Sequence, residues 1–179
     1  MAVNHDNSRI SLLVEGYPRS GFKVFSSLSK ANENSICITR LHPDYVAEKF
    51  NVRGRKCYWL SGCKGKDIIS PKSLGQIVKM VKADAKVGKP VVFLDGLEYL
   101  LLWNEMNKVI YALDEIQNIL VATNGTMIIC FDPLTLEQKD LKKLWTLYPK
   151  MEPIAETEQV EAEAALRIKE PASGTGVIA

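Results

Sequence analysis

The chain has 179 residues, 46% of them hydrophobic and 25% charged, with a formal net charge of +2. That length suits one domain with a sizeable core, and the balance argues against both a wholly disordered chain and a membrane-embedded one. The cysteines do not form a metal or disulfide framework: Cys37, Cys57 and Cys130 lie in or beside apolar, strand-like runs and are expected as buried thiols, Cys57 and Cys63 are too widely spaced for a CxxC pair, and no histidine pair follows at ligand spacing.

Residues 1–9 are polar and contain no apolar signal region, and no apolar run approaches the roughly 20 residues a spanning helix needs. A cytoplasmic protein with no membrane partner is expected. Ile10–Val14 is a short apolar run that leads into a Gly/Pro/Ser segment at 16–21 and a helix over 22–30. A second strand, 36–39, precedes His42-Pro43-Asp44, where Pro43 fits the first position of a helix ending near Phe50. The third strand, 57–60, is followed by a Gly/Lys loop at 62–66 and a helix over 71–87 opened by Pro71.

Residues 91–94 form a continuous apolar run, as a central strand buried on both faces requires, and end in Asp95-Gly96. From 97 to 122, Leu102, Met106, Val109, Leu113, Ile116 and Leu120 recur every three or four residues, predicting one long amphipathic helix stopped at Asn124-Gly125. Trp103, Met106 and Tyr111 on that helix are read first as core positions and alternatively as one face of a homodimer. A fifth strand, Thr126–Phe131, leads to Asp132 as a cap and to a helix over 133–148.

Parallel strands need crossover helices, so five strands alternating with five helices predict an α/β fold with a five-stranded, mostly parallel sheet. The domain is expected over 1–149. Residues 150–179 turn Glu/Ala/Pro-rich, which predicts a flexible acidic tail with a transient helix across 160–168.

Ligands of parallel α/β sheets bind beyond the carboxyl ends of the strands. The first such end reads Gly16-Tyr17-Pro18-Arg19-Ser20-Gly21-Phe22-Lys23. A phosphate-binding P-loop, GxxxxGK[ST], needs a lysine and then a hydroxyl at the start of its helix. Here Phe22 stands at the lysine position and Lys23 at the hydroxyl position. One helical step rotates a side chain by about 100°, which turns Lys23 away from a phosphate in the loop, and Pro18 removes one N–H from the cradle.

The fourth strand ends in Asp95, a Walker B-like pattern whose aspartate would help hold Mg²⁺ in an active enzyme. Glu98 follows three residues later as a base or as part of a helix cap. Under one reading, Gly16, Gly21, Lys23, Asp95 and Glu98 make a residual nucleotide site in a slow NTPase. Under the favoured reading there is no catalytic residue, metal site or cofactor, and Arg40 pairs with Asp95 or Asp132 in a structural polar cluster. His42 and Asp44 lie beside Arg40 with no nucleophile to complete a triad.

Ile38-Thr39-Arg40-x-x-Pro43, Tyr58-Trp59-Leu60-Ser61, the run 95–100 (DGLEYL) with Asn104, and Asp132-Pro133 together resemble the archaeal domain of unknown function 835, itself similar to the KaiC and RecA ATPase core. The resemblance covers residues 8–148. It implies a RecA-like parallel sheet, an archaeal source and a family without an intact Walker A motif, and it implies no activity.

Charge is segregated along the chain. Between 53 and 89 stand ten basic residues (Arg53, Arg55, Lys56, Lys64, Lys66, Lys72, Lys79, Lys82, Lys86 and Lys89) against two acids, Asp67 and Asp84, so the remainder is net acidic. Lys79, Lys82 and Lys86 fall on one helical face. Such a band suits a polyanion, and an RNA-containing assembly such as the ribosome is the expected partner of a regulatory or adaptor protein that also forms a homodimer.

Overall fold

The computed structural model describes residues 7–30, 32, 34–52 and 55–152. Arg53, the expected transient helix and all of the expected acidic tail beyond Glu152 lie outside the described residues.

Among the described residues seven strands form one sheet: β1 (Ile10–Val14), β2 (Ser35–Thr39), β3 (Lys56–Leu60), β4 (Ile68–Ile69), β5 (Val91–Asp95), β6 (Thr126–Phe131) and β7 (Lys150–Met151). Their order is β4-β3-β2-β5-β6-β1-β7, and every pairing is parallel. The α/β class and the five longer strands match the sequence pattern, but the count of five is corrected to seven. Strands of two residues at the sheet edges carry no alternation to read. β4 is held by backbone bonds from Trp59 to Asp67 and from Ser61 to Ile69, and the amide of Leu12 reaches Pro149 beside β7. The sheet therefore extends two residues past the expected boundary at 149.

Helices cover both faces. α1 (Arg19–Ser29) and α2 (Pro43–Lys49) bury Phe22, Phe25 and Val46 against Leu13, Cys37, Phe93 and Cys130 on one face. The other face carries α3 (Leu74–Ala85), α4 (Leu97–Leu101), α5 (Met106–Thr123) and α6 (Gln138–Leu147), packed on Leu12, Ile38, Leu94 and Ile129. β2 and β5 are buried along their whole length, as strands covered on both sides must be.

Local chemistry sets the helix ends. Pro43 opens α2 and His42 caps it, the His42 Nδ1 accepting from the Asp44 amide at 3.3 Å. Asp132 Oδ1 accepts from Leu134 N at 2.9 Å and caps a 3₁₀ turn, Pro133–Thr135, that stands apart from α6. Asn124 ends α5 in the left-handed region.

The single long helix expected over 97–122 is broken between α4 and α5. Asn104 makes the break, its Nδ2 donating to the carbonyls of Leu100 and Pro71, each at 2.8 Å. Beyond the break α5 buries a stripe of its own through Val109, Leu113, Ile116 and Leu120. Leu102, Trp103 and Tyr111 are exposed, which overturns the core reading of Trp103 and Tyr111, while Met106 packs against the core.

Candidate functional site

α1 and α2 leave β1 and β2 toward one face, whereas α4 and α6 follow β5 and β6 toward the other. Crevices open at the carboxyl ends wherever neighbouring strands diverge in this way. The residues gathered there are Glu15 and Gly16 after β1, Thr39 and Arg40 around the end of β2, Asp95 and Glu98 around the end of β5, and Asp132 after β6.

The connection between β1 and α1 is four residues long, because α1 begins at Arg19 and not at 22 as the sequence suggested. Half of the expected Gly16 to Gly21 loop is therefore helix. The first-turn amides of a helix attract an anion, and here the chain supplies its own. Glu15 accepts from Ser20 N through Oε1 at 2.7 Å and from Gly21 N through Oε2 at 3.0 Å. The Cys130 thiol lies 3.8 Å from the same Oε2, and burial pushes that thiol far above its ordinary value, so it remains a protonated donor.

Gly21 lies inside the helix and against β5. A Cβ added there would meet the Phe93 ring at 2.8 Å, so the residue serves close packing. Phe22, at the lysine position of the motif, is fully buried, stacked on Phe50 at 4.3 Å and edge-on to Phe93 at 4.8 Å. Lys23 is exposed on the outer side of α1. Tyr17 and Tyr45 join hydroxyls at 2.6 Å above this aromatic group, and burial with that bond raises the Tyr17 hydroxyl to about 12.

Arg40 ties three elements together. Its Nη2 donates to Gly16 O at 3.1 Å, its Nε lies 3.5 Å from Asp95 Oδ1, and its Nη1 lies 2.5 Å from Glu98 Oε1. Thr39 donates its hydroxyl to Asp95 Oδ2 at 2.8 Å. Of the two expected partners Arg40 takes Asp95 and not Asp132, and it adds Glu98, which the sequence had offered as a base or a cap. Gly96 turns the chain after β5 at φ 107°, a conformation that disfavours side chains, and the Arg40 side chain lies over it, its nearest carbon 3.4 Å from where a Cβ would stand.

Asp95 and Glu98 are both buried, and burial is the main cause that raises both carboxyls above their ordinary values. The Thr39 hydroxyl and then Arg40 oppose the rise in Asp95, and backbone bonding at Glu98 and Asp132 together with Arg40 opposes it in Glu98.

The structure brings Gly16, Asp95 and Glu98 to one edge, where each makes contacts within the chain, and leaves Lys23 apart from them. Sequence reasoning missed Glu15 and Thr39 as parts of the cluster. A glutamate directly before a Gly/Pro loop carries no distinguishing signal, and Thr39 stood only in the run 38–40.

The basic residues lie at the β4 end of the sheet. Lys79, Lys82 and Lys86 are exposed on α3, opposite its buried Ile77, Val78 and Val81. Lys64, Lys66 and Lys72 are exposed in the loops before α3, with Lys72 Nζ 4.4 Å from the Trp103 ring centre. Arg55 is half-buried, and Lys56 is engaged inside the chain by Asp84 at 2.6 Å. Among the described residues no group of three or more His, Cys, Asp or Glu side chains is arranged to hold a metal ion, and no helix is long and apolar enough to cross a membrane.

Against known proteins, the model of the family described as protein of unknown function (DUF835) matches residues 17–147. No curated protein matches. The solved structure of C. elegans PCH-2 is similar at 13% identity and a TM-score of 0.47, over 89% of this chain and 41% of that one. The chain thus spans less than half the length of that structure.

Proposed function

The chain belongs to the DUF835 family, and from that footing we propose that it is a non-catalytic adaptor on a P-loop-type, RecA-like scaffold, self-associating and bound to a larger RNA-containing assembly through its basic flank. One observation carries the first part of this reading: the Glu15 carboxylate occupies the Ser20 and Gly21 amides where a phosphate would bind.

Phosphoryl transfer needs a cradle of amides, a lysine on the phosphates and a carboxylate free for Mg²⁺. Here the amides are taken and Phe22 fills the lysine position. Asp95 is engaged by Thr39 and Arg40. A nucleotide would also bring its charge beside Glu15, Asp95 and Glu98, with Arg40 already shared by the last two. The exposed lysines of α3 and the loops before it favour a polyanionic partner, and the exposed Leu102, Trp103 and Tyr111 favour contact between copies.

Thermal melting with and without MgATP tests the reading. No shift is expected for the wild type or for Asp95→Ala. A rise of several degrees that Asp95→Ala abolishes would replace this reading with that of a slow NTPase.

A further inference from the structure

Of the chain's four cysteines, two are neighbours across the sheet. Cys37 on β2 and Cys57 on β3 stand opposite one another in the parallel register, and both pack into the layer beneath α1 and α2. Neighbouring strands lie about 4.8 Å apart, and a disulfide needs Cα atoms about 4.4–6.8 Å apart, so this pairing puts the two thiols within bridging reach. Cys130 shares their face but sits two strands from β2, with β5 between, and Cys63 lies in the loop after β3.

The two thiols are not equivalent. Cys37 is completely buried, whereas Cys57 is half-buried. β4 pairs only with Trp59 and Leu60, so no strand among the described residues covers the outer edge of β3 at Cys57. The Cys37 thiol donates a hydrogen bond to Cys57, which holds the Cys57 thiol below its ordinary value against the opposing effects of burial and of Asp67. Burial, and then the same hydrogen bond, push Cys37 well above its own. Since the thiolate is the reactive form, the more accessible partner is also the readier to react.

We propose that this pair is a peroxide-sensitive thiol switch, with Cys57 as the site of oxidation and Cys37 as the thiol that resolves it. The Cys57 thiolate attacks one oxygen of hydrogen peroxide: an S–O bond forms, the O–O bond breaks, and the leaving hydroxide takes up a proton as water. The Cys37 sulfur then attacks the Cys57 sulfur, forming the S–S bond and breaking the S–O bond, and the Cys37 proton leaves with the hydroxyl group as a second water. Two thiols are oxidised and one peroxide is reduced. A bridge between directly paired strands sits toward the short end of the permitted span, and strained bridges are the readily reduced ones, as a reversible switch requires. Neither the loop after β1 nor the basic flank takes part, so the outcome is independent of the MgATP result.

The full chain carrying Cys63→Ser, which removes the exposed thiol, tests the assignment. Hydrogen peroxide should remove two of the three remaining thiols, peptide mapping by mass spectrometry should recover Cys37 linked to Cys57, and a reducing agent should return both. With Cys37→Ala added, Cys57 should persist as a sulfenic acid that dimedone traps. With Cys57→Ala added instead, oxidation of Cys37 should slow at least about tenfold, as loss of the attacking thiolate implies. Melting curves check that each variant folds, and if Cys37→Ala does not, the peptide map of the Cys63→Ser chain decides alone. Linkage through Cys130 or between two chains would overturn the assignment, as would a Cys37 to Cys57 link that forms only in urea, or overoxidation of Cys57 with no link.

Discussion

Glu15 does with a side chain what a bound phosphate would do with its oxygens, and that substitution can be tested directly. Glu15→Ala should cost about 1–2 kcal/mol, since two helix-start amides lose their acceptor. Added sulfate should recover part of the stability in the variant and little in the wild type, as read by urea denaturation. Arg40 is the other residue on which the site depends. Arg40→Ala leaves two buried carboxylates without their cation and should cost about 3 kcal/mol or more. Arg40→Lys should restore little of it, because one ammonium cannot reach Gly16 O, Asp95 and Glu98 together.

The same carboxyls set a pH dependence whose sign follows from the direction of their shifts. Both are raised in the folded chain, so protonation favours folding. Their contribution to stability is fully present below their ordinary values of 3.8 for Asp95 and 4.5 for Glu98, and it is lost as the pH rises through the raised folded values. Asp95→Asn removes one of these titrations. Its stability relative to the wild type should therefore increase as pH rises above that range, in melting curves recorded across pH.

At the scale of the elements, the early start of α1 decides the character of the site. Restoring lysine at the motif position would not restore a P-loop, because residue 22 points into the core between Phe50 and Phe93. Phe22→Ala should cost about 3–5 kcal/mol, and Phe22→Lys more, without any gain of MgATP binding in a melting assay. The five longer strands were legible because each is a continuous apolar run bounded by turn residues. The break after α4 was not, because Leu102 and Met106 keep helical spacing across it while the cause, Asn104 reaching Pro71 O, is an interaction made across 33 residues of chain. Spacing reports period and not contact. The start of α1 was missed for a related reason: Gly16 to Gly21 has the composition of a loop, and Gly21 suits a helix only because it lies against Phe93.

For the whole molecule, the sheet order gathers the exposed lysines at the β4 end, away from the Glu15 plug at the end of β1. If RNA binds there, affinity should fall with salt. The slope of log K against log salt should be shallower in Lys79→Glu with Lys86→Glu by about 0.7–0.9 for each phosphate no longer neutralised. Filter binding across a salt series measures it. Lys56→Ala should change that slope little, since Lys56 is already paired with Asp84. The basic band was visible as composition, but which of its members are paired within the chain was not, because the pairing of Lys56 with Asp84 crosses from β3 to α3. The cleft at the carboxyl ends of β2, β3 and β5 was invisible for the same reason: its lining comes from positions 40–41, 59–61, 98–99, 102 and 135, which only the parallel order of β3, β2 and β5 brings to one edge.

Glu15 and the amides it holds are joined by about five residues of chain, so the carboxylate competes as a tethered ligand; short tethers give effective concentrations in the millimolar range or above. Free phosphate or nucleotide would have to exceed that level merely to draw even, and would do so against the field of the neighbouring carboxylates. The helix start is thereby insulated from changes in the surrounding phosphate pool, and its occupancy becomes a property of the fold alone.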